Sequence, residues 1–74
     1  MDKDLKTSIA TEIRRAMDIQ GISRTELARR LGVSNPYITE ILSGSTNFTL
    51  DTIDKIVKAI DARIEFNILI SSNE

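Results

Sequence analysis

The chain has 74 residues, which is room for one small domain whose core is marginal by itself, so association with another copy is expected. A hydrophobic share of 41% beside 28% charged residues excludes a disordered chain, and the absence of cysteine and histidine removes disulfides, thiol nucleophiles, imidazole bases and the usual zinc ligands together. Ten Lys and Arg against eleven Asp and Glu give a net charge of -1 and exclude a strongly basic protein.

Charge is nonetheless unevenly placed. Arg14, Arg15, Arg24, Arg29 and Arg30 lie in the first half, while Asp51, Asp54, Asp61, Glu65 and Glu74 lie late. The expectation is a local basic patch on a nearly neutral protein. No apolar run approaches the roughly 18 residues of a membrane span, and the opening MDKDLKTS is charged rather than signal-like, so a cytoplasmic location with no membrane partner is expected.

In chain order, Leu5, Ile9, Ile13, Ala16 and Met17 recur at three- and four-residue intervals and predict an amphipathic helix over about 4–20, stopped by Gly21. Its polar side carries Lys3, Lys6, Arg14 and Arg15, which serve either as a solvated face or as phosphate contacts. Ser23 can cap a second helix, Glu26 can reach back to the Ser23 amide as a capping box, and Ile22 can staple onto Leu27. Leu27, Ala28 and Leu31 face the core, and Gly32 permits the left-handed exit. Ser34 then caps a third helix over about 35–42, with Pro36 in the first turn and Val33 able to staple onto Ile38. A turn of about three residues makes two such helices cross steeply. Ile38, Ile41 and Leu42 form the buried side of the third helix, which leaves Asn35, Pro36, Tyr37, Thr39, Glu40 and Ser43 outside.

Ser23, Leu27, Ala28, Gly32, Val33, Ser34, Ile38 and Gly44 together resemble the lambda-repressor/Cro-like (XRE) helix-turn-helix family, over roughly residues 5–60. The resemblance implies a DNA-binding domain in which the third helix reads base edges. Asn35 could then pair with adenine, Thr39 or Pro36 could touch a thymine methyl, and Glu40 could either accept from cytosine N4 or remain a solvated acid. Ser34 sits at the entry of that helix. Tyr37 is either a phosphate donor or a packing residue. Arg24 stands where the family often has Gln, which contacts phosphate and braces the reading helix. Ser43, Ser45, Thr46 and Asn47, at the end of that helix and in the loop after it, are implied backbone or base-edge contacts.

Thr49 caps a fourth helix from Leu50 to about Ile60, with Phe48 able to staple onto Ile53 and with Ile53, Ile56, Val57 and Ile60 as its core face. Asp51 and Asp54 read as a solvated helix face, since nothing beside them completes a catalytic or metal site. From Arg63 the pattern alternates, placing Ile64, Phe66, Ile68 and Ile70 on one face with the period of a half-buried strand, although Leu69 interrupts the polar side. No second strand is visible, so the strand is expected to pair with its counterpart in another copy about a two-fold axis; a fifth helix or an unstructured tail are the other readings. In this respect the tail is similar to HipB-type helix-turn-helix antitoxins.

The expected fold is therefore mostly α: a four-helix helix-turn-helix domain over 4–61 and a C-terminal dimerisation strand over 62–71. The expected function is a homodimeric, sequence-specific DNA-binding regulator that represses from a near-palindromic operator. The rival is an antitoxin that also binds a toxin protein. No enzyme activity, cofactor or metal is expected.

Overall fold

Helix starts are written into this sequence by hydroxyl residues. In the computed structural model, which describes residues 5–44, 47–65 and 67–70, the helices among the described residues are α1 (Leu5–Gln20), α2 (Arg24–Leu31), α3 (Asn35–Ser43) and α4 (Leu50–Ala59). Ser23 Oγ accepts from the Glu26 amide at 3.0 Å, Ser34 Oγ from the Tyr37 amide at 3.2 Å and Thr49 Oγ1 from the Thr52 amide at 3.1 Å. Each such cap contributes about 1 kcal/mol and fixes where the helix begins.

One half of the expected capping box is different. The Glu26 carboxylate does not turn back to Ser23; it runs forward along α2, accepting from Arg29 Nε at 3.0 Å and from Arg30 Nε at 2.8 Å. Two guanidiniums one turn ahead outbid a single neutral amide, because charge-assisted hydrogen bonds are the stronger kind. Hydrogen bonds from Arg29 and then from Arg30 pull the Glu26 carboxyl down to a pKa of about 2. A carboxyl depressed in the folded state adds stability above its unfolded pKa and loses it as pH falls through the folded value. Stability is therefore expected to fall between about pH 4.5 and pH 2, and Glu26→Gln should flatten that part of a urea-denaturation profile. An unchanged profile would remove the Glu26 cluster from the acid response.

Helix ends are built as consistently as the starts. At Gly32, with φ of 70°, the Gly32 amide donates to the Arg29 carbonyl and the Val33 amide to the Ala28 carbonyl at 3.0 Å. This paired turn needs a left-handed residue, for which glycine is best suited. The same pairing closes α1, where the Ile22 amide reaches the Met17 carbonyl, and α4, where the Ala62 amide reaches the Val57 carbonyl across Asp61 at φ of 56°.

Packing follows from these entry and exit angles. α1 lies on α3, and α2 lies on both α3 and α4. Ile13, Met17, Leu27, Ala28, Ile38, Ile41, Leu42, Ile56 and Ile60 form one buried cluster, with Ile22, Leu31 and Phe48 partly covered at its edge. Leu5, expected on the core side, is exposed, since the buried positions of α1 begin only at Ala10, and Leu31 is only half-buried. Beyond Ala62 the described tail residues are not helical, which removes the fifth-helix reading for them. None of them belongs to a strand either; a strand exists only through ladder bonds to a neighbour. Ile64 is half-buried, Ile68 and Ile70 are exposed, and Phe66 lies outside the described residues.

Candidate nucleic-acid interface

The Gly32–Val33–Ser34 turn carries the chain from α2 straight into α3, whose inner side, Ile38, Ile41 and Leu42, is buried. That burial points the other side outward. Asn35, Pro36, Tyr37, Thr39, Glu40 and Ser43 are all exposed, as are Arg24, Thr25 and Ser34 next to them. Tyr37 stays 38% exposed and outside the buried cluster, so it is not a core residue.

The end of α3 is held by α1. The Arg14 guanidinium donates to the Leu42 carbonyl, a favourable place for a cation because helix carbonyls concentrate negative potential at a C-terminus. The Gly44 that follows is buried against Thr7, again on α1. The other end of α3 meets α2, where Asn35 Nδ2 lies 3.5 Å from Thr25 Oγ1, at the long limit of a hydrogen bond. Thr25, rather than Arg24, is thus the α2 side chain that reaches Asn35. No hydrogen bond or ion pair engages the Arg24 guanidinium among the described residues, and it stands free at the start of α2.

The basic patch is smaller than the arginine count implies. Arg15 pairs with Glu12 at 3.3 Å, Arg29 and Arg30 with Glu26, and Arg30 also donates to the Ala59 carbonyl at 2.6 Å. These guanidiniums hold the fold or neutralise neighbouring acids, so Arg24 is the one of the five clustered arginines left without a protein partner among the described residues. In the last turn of α3, Ser43 Oγ donates to the Glu40 carbonyl at 2.7 Å, and beyond the helix Asn47 Oδ1 accepts from Lys6 Nζ at 3.3 Å. Ser45 and Thr46 lie outside the described residues.

Two short capped helices joined by a left-handed turn, one buried on its inner side and presenting a polar outer side, make a helix-turn-helix. A family model for the helix-turn-helix matches residues 13–67. The chain belongs to the XRE-type helix-turn-helix family. No curated protein and no solved structure matches it. As a helix-turn-helix protein it is a DNA-binding regulator, and its match runs from the middle of α1 through α4 into the tail. No helix among the described residues is long and apolar enough to cross a membrane.

Thr25 is the residue that the sequence leaves out of this helix-turn-helix site, and Arg14, expected as a solvated residue or a phosphate contact, instead holds the end of α3. Thr25 had a faint signal, since it is an exposed hydroxyl one position from Arg24. Arg14 had none: its carbonyl partner lies 28 residues on, and only the crossing of α1 over α3 brings the two together.

Proposed function

We propose that the protein is a homodimeric, sequence-specific repressor that acts by occupying a near-palindromic operator in the cytoplasm. The observation that supports this best is the exposed N-terminal end of α3, where Asn35 lies against Thr25 with Arg24 unpaired beside it. In this reading Asn35 contacts adenine, Thr39 and Pro36 touch thymine methyls, and Arg24 takes phosphate; Ser34, Tyr37, Glu40, Ser43, Ser45, Thr46 and Asn47 line the rest of the contact surface. The tails carrying Ile64, Phe66, Ile68 and Ile70 pair across the two-fold axis and set the two reading helices about 34 Å apart, one turn of DNA. An antitoxin role would add a toxin partner to the same chemistry, and co-purification from the native cell tests for one.

The experiment is selection of the preferred duplex from a random pool, followed by titration of variants. Asn35→Ala and Thr39→Ala should each weaken operator binding by about 1–3 kcal/mol and relax the preference at one base pair. Arg24→Ala should weaken all sequences alike and reduce the salt slope by about one. Unchanged affinity and unchanged base preference in both α3 variants would overturn this reading face.

A further inference from the structure

We propose that the cleft between α1 and α4 seats the C-terminal segment of a second copy of this chain, whose Ile68 and Ile70 complete the apolar surface that the first copy leaves open. The proposal rests on the homodimer reading above and says where the partner's tail goes.

α1 and α4 are tied at their C-terminal ends, where Gln20 Nε2 donates to the Ile60 carbonyl at 3.0 Å. Their main packing partners lie elsewhere, α3 for α1 and α2 for α4. Between them opens a cleft of about 450 Å³ whose walls include Ile9, Ala16, Val57 and Ile60, with Ser8 and Glu12 also along α1. The chain's own tail enters it, since Ile64, Glu65 and Asn67 contribute to the lining.

The alternating stripe therefore begins inside the cleft and ends outside it. Ile64 is half-buried there, whereas Ile68 and Ile70 stand 88% and 90% exposed. An antiparallel pair sets the end of one strand beside the start of the other. In a two-fold dimer, the partner's exposed isoleucines come back alongside Ile64, which is the residue already seated in the cleft. Side chains two apart share a face, so the same register turns Ile68 and Ile70 of the partner towards the apolar walls.

A need for area points to the same occupant. A two-stranded ribbon alone is marginal in water, and a stable association buries on the order of 1,200 Å² or more. Paired tails reach that only if their apolar face also lands on a surface, and the α1–α4 cleft is continuous with the tail itself. Docking on both copies' clefts would make core completion and dimerisation one event.

The chain has no cysteine, so single thiols report contacts cleanly. Ser8→Cys or Glu12→Cys marks the cleft wall, and Ile70→Cys marks the tail with a residue that is itself a small hydrophobe. Mixing a cleft variant with the tail variant, exchanging subunits and oxidising should yield a disulfide between two chains, identified as a bond from position 8 or 12 to position 70. Asp18→Cys, on α1 but away from the cleft lining, should give no such bond to the tail. A dimer in sedimentation whose Asn67→Cys chains join to each other, with no bond from 8 or 12 to 70, overturns the docking while the homodimer stands. A bond that forms only within one chain of Ser8→Cys/Ile70→Cys overturns it too, because the chain's own tail would then fill the cleft. A monomer in sedimentation without any inter-chain bond overturns the docking and the homodimer together.

Discussion

Replacing Ile38 by alanine is expected to remove most of the protein's stability. Ile38 has no exposed surface and belongs to the same buried cluster as Leu27 of α2 and Ile41 of α3. Truncating a fully buried isoleucine costs about 2–5 kcal/mol, through lost transfer energy and the cavity left behind. A domain of this size has a core that rarely supplies more than about 3–5 kcal/mol by itself, so the variant should be largely unfolded at physiological temperature. It should also lose operator binding, although Ile38 faces away from the proposed DNA surface, because its burial with Ile41 and Leu42 seats the inner side of α3. Urea denaturation checks the expectation, with the neighbouring Thr39→Ala as control. Thr39 is exposed, and surface substitutions typically stay within about 0.5 kcal/mol. If Ile38→Ala cost no more than Thr39→Ala, α3 would not be docked as described.

Gly44→Ala is expected to be the second severe change, for two reasons that add. Gly44 has φ of 78°, a left-handed conformation that costs a residue with a Cβ about 1–2 kcal/mol. A Cβ there would also stand 3.1 Å from Thr7 Cα, and the backbone of α1 cannot swing aside as a side-chain tip could. Overpacking of this kind adds about 1–3 kcal/mol. Gly32→Ala is the informative comparison, since Gly32 has a similar φ of 70° but nothing within 4 Å of its added Cβ. It should show the conformational cost only. In thermal melts, each 1 kcal/mol should lower Tm by about 4–8 °C in a domain of this size, so the two variants should separate clearly. Equal losses would mean that the close approach of α1 to the end of α3 contributes nothing.

Both predictions concern how α3 is held, and much of that was readable from the chain. Ser23, Ser34 and Thr49 mark three helix starts, and each hydroxyl does accept the amide three residues on. Gly21 and Gly32 mark two ends, and both have positive φ, as does Gly44 at the close of α3. These signals are legible because a cap or a left-handed exit involves residues within one turn of each other. The apolar periodicity likewise placed Ile13, Met17, Ile38, Ile41, Leu42, Ile53, Ile56 and Val57 inside. It overreached at Leu5, because periodicity gives the direction of a helix face but not how far along the helix the neighbouring element extends.

What the sequence alone determined was therefore local: four helices and their turn chemistry, and through Ser23 to Gly44 the family. The tertiary structure decided which polar groups are free to act. The clustered arginines predict a local basic patch, yet within it Arg14 is engaged by the Leu42 carbonyl 28 residues away and Arg30 by the Ala59 carbonyl 29 residues away. Asn35 rests against Thr25, and Arg24 is left unpaired. The apolar stripe from Ile64 to Ile70 is plain in the sequence, but that it starts in a cleft between α1 and α4 and ends in solvent is not. The reason is the same in each case: a cap depends on neighbours along the chain, whereas a carbonyl, a hydroxyl or a cleft on another helix depends on how those helices cross.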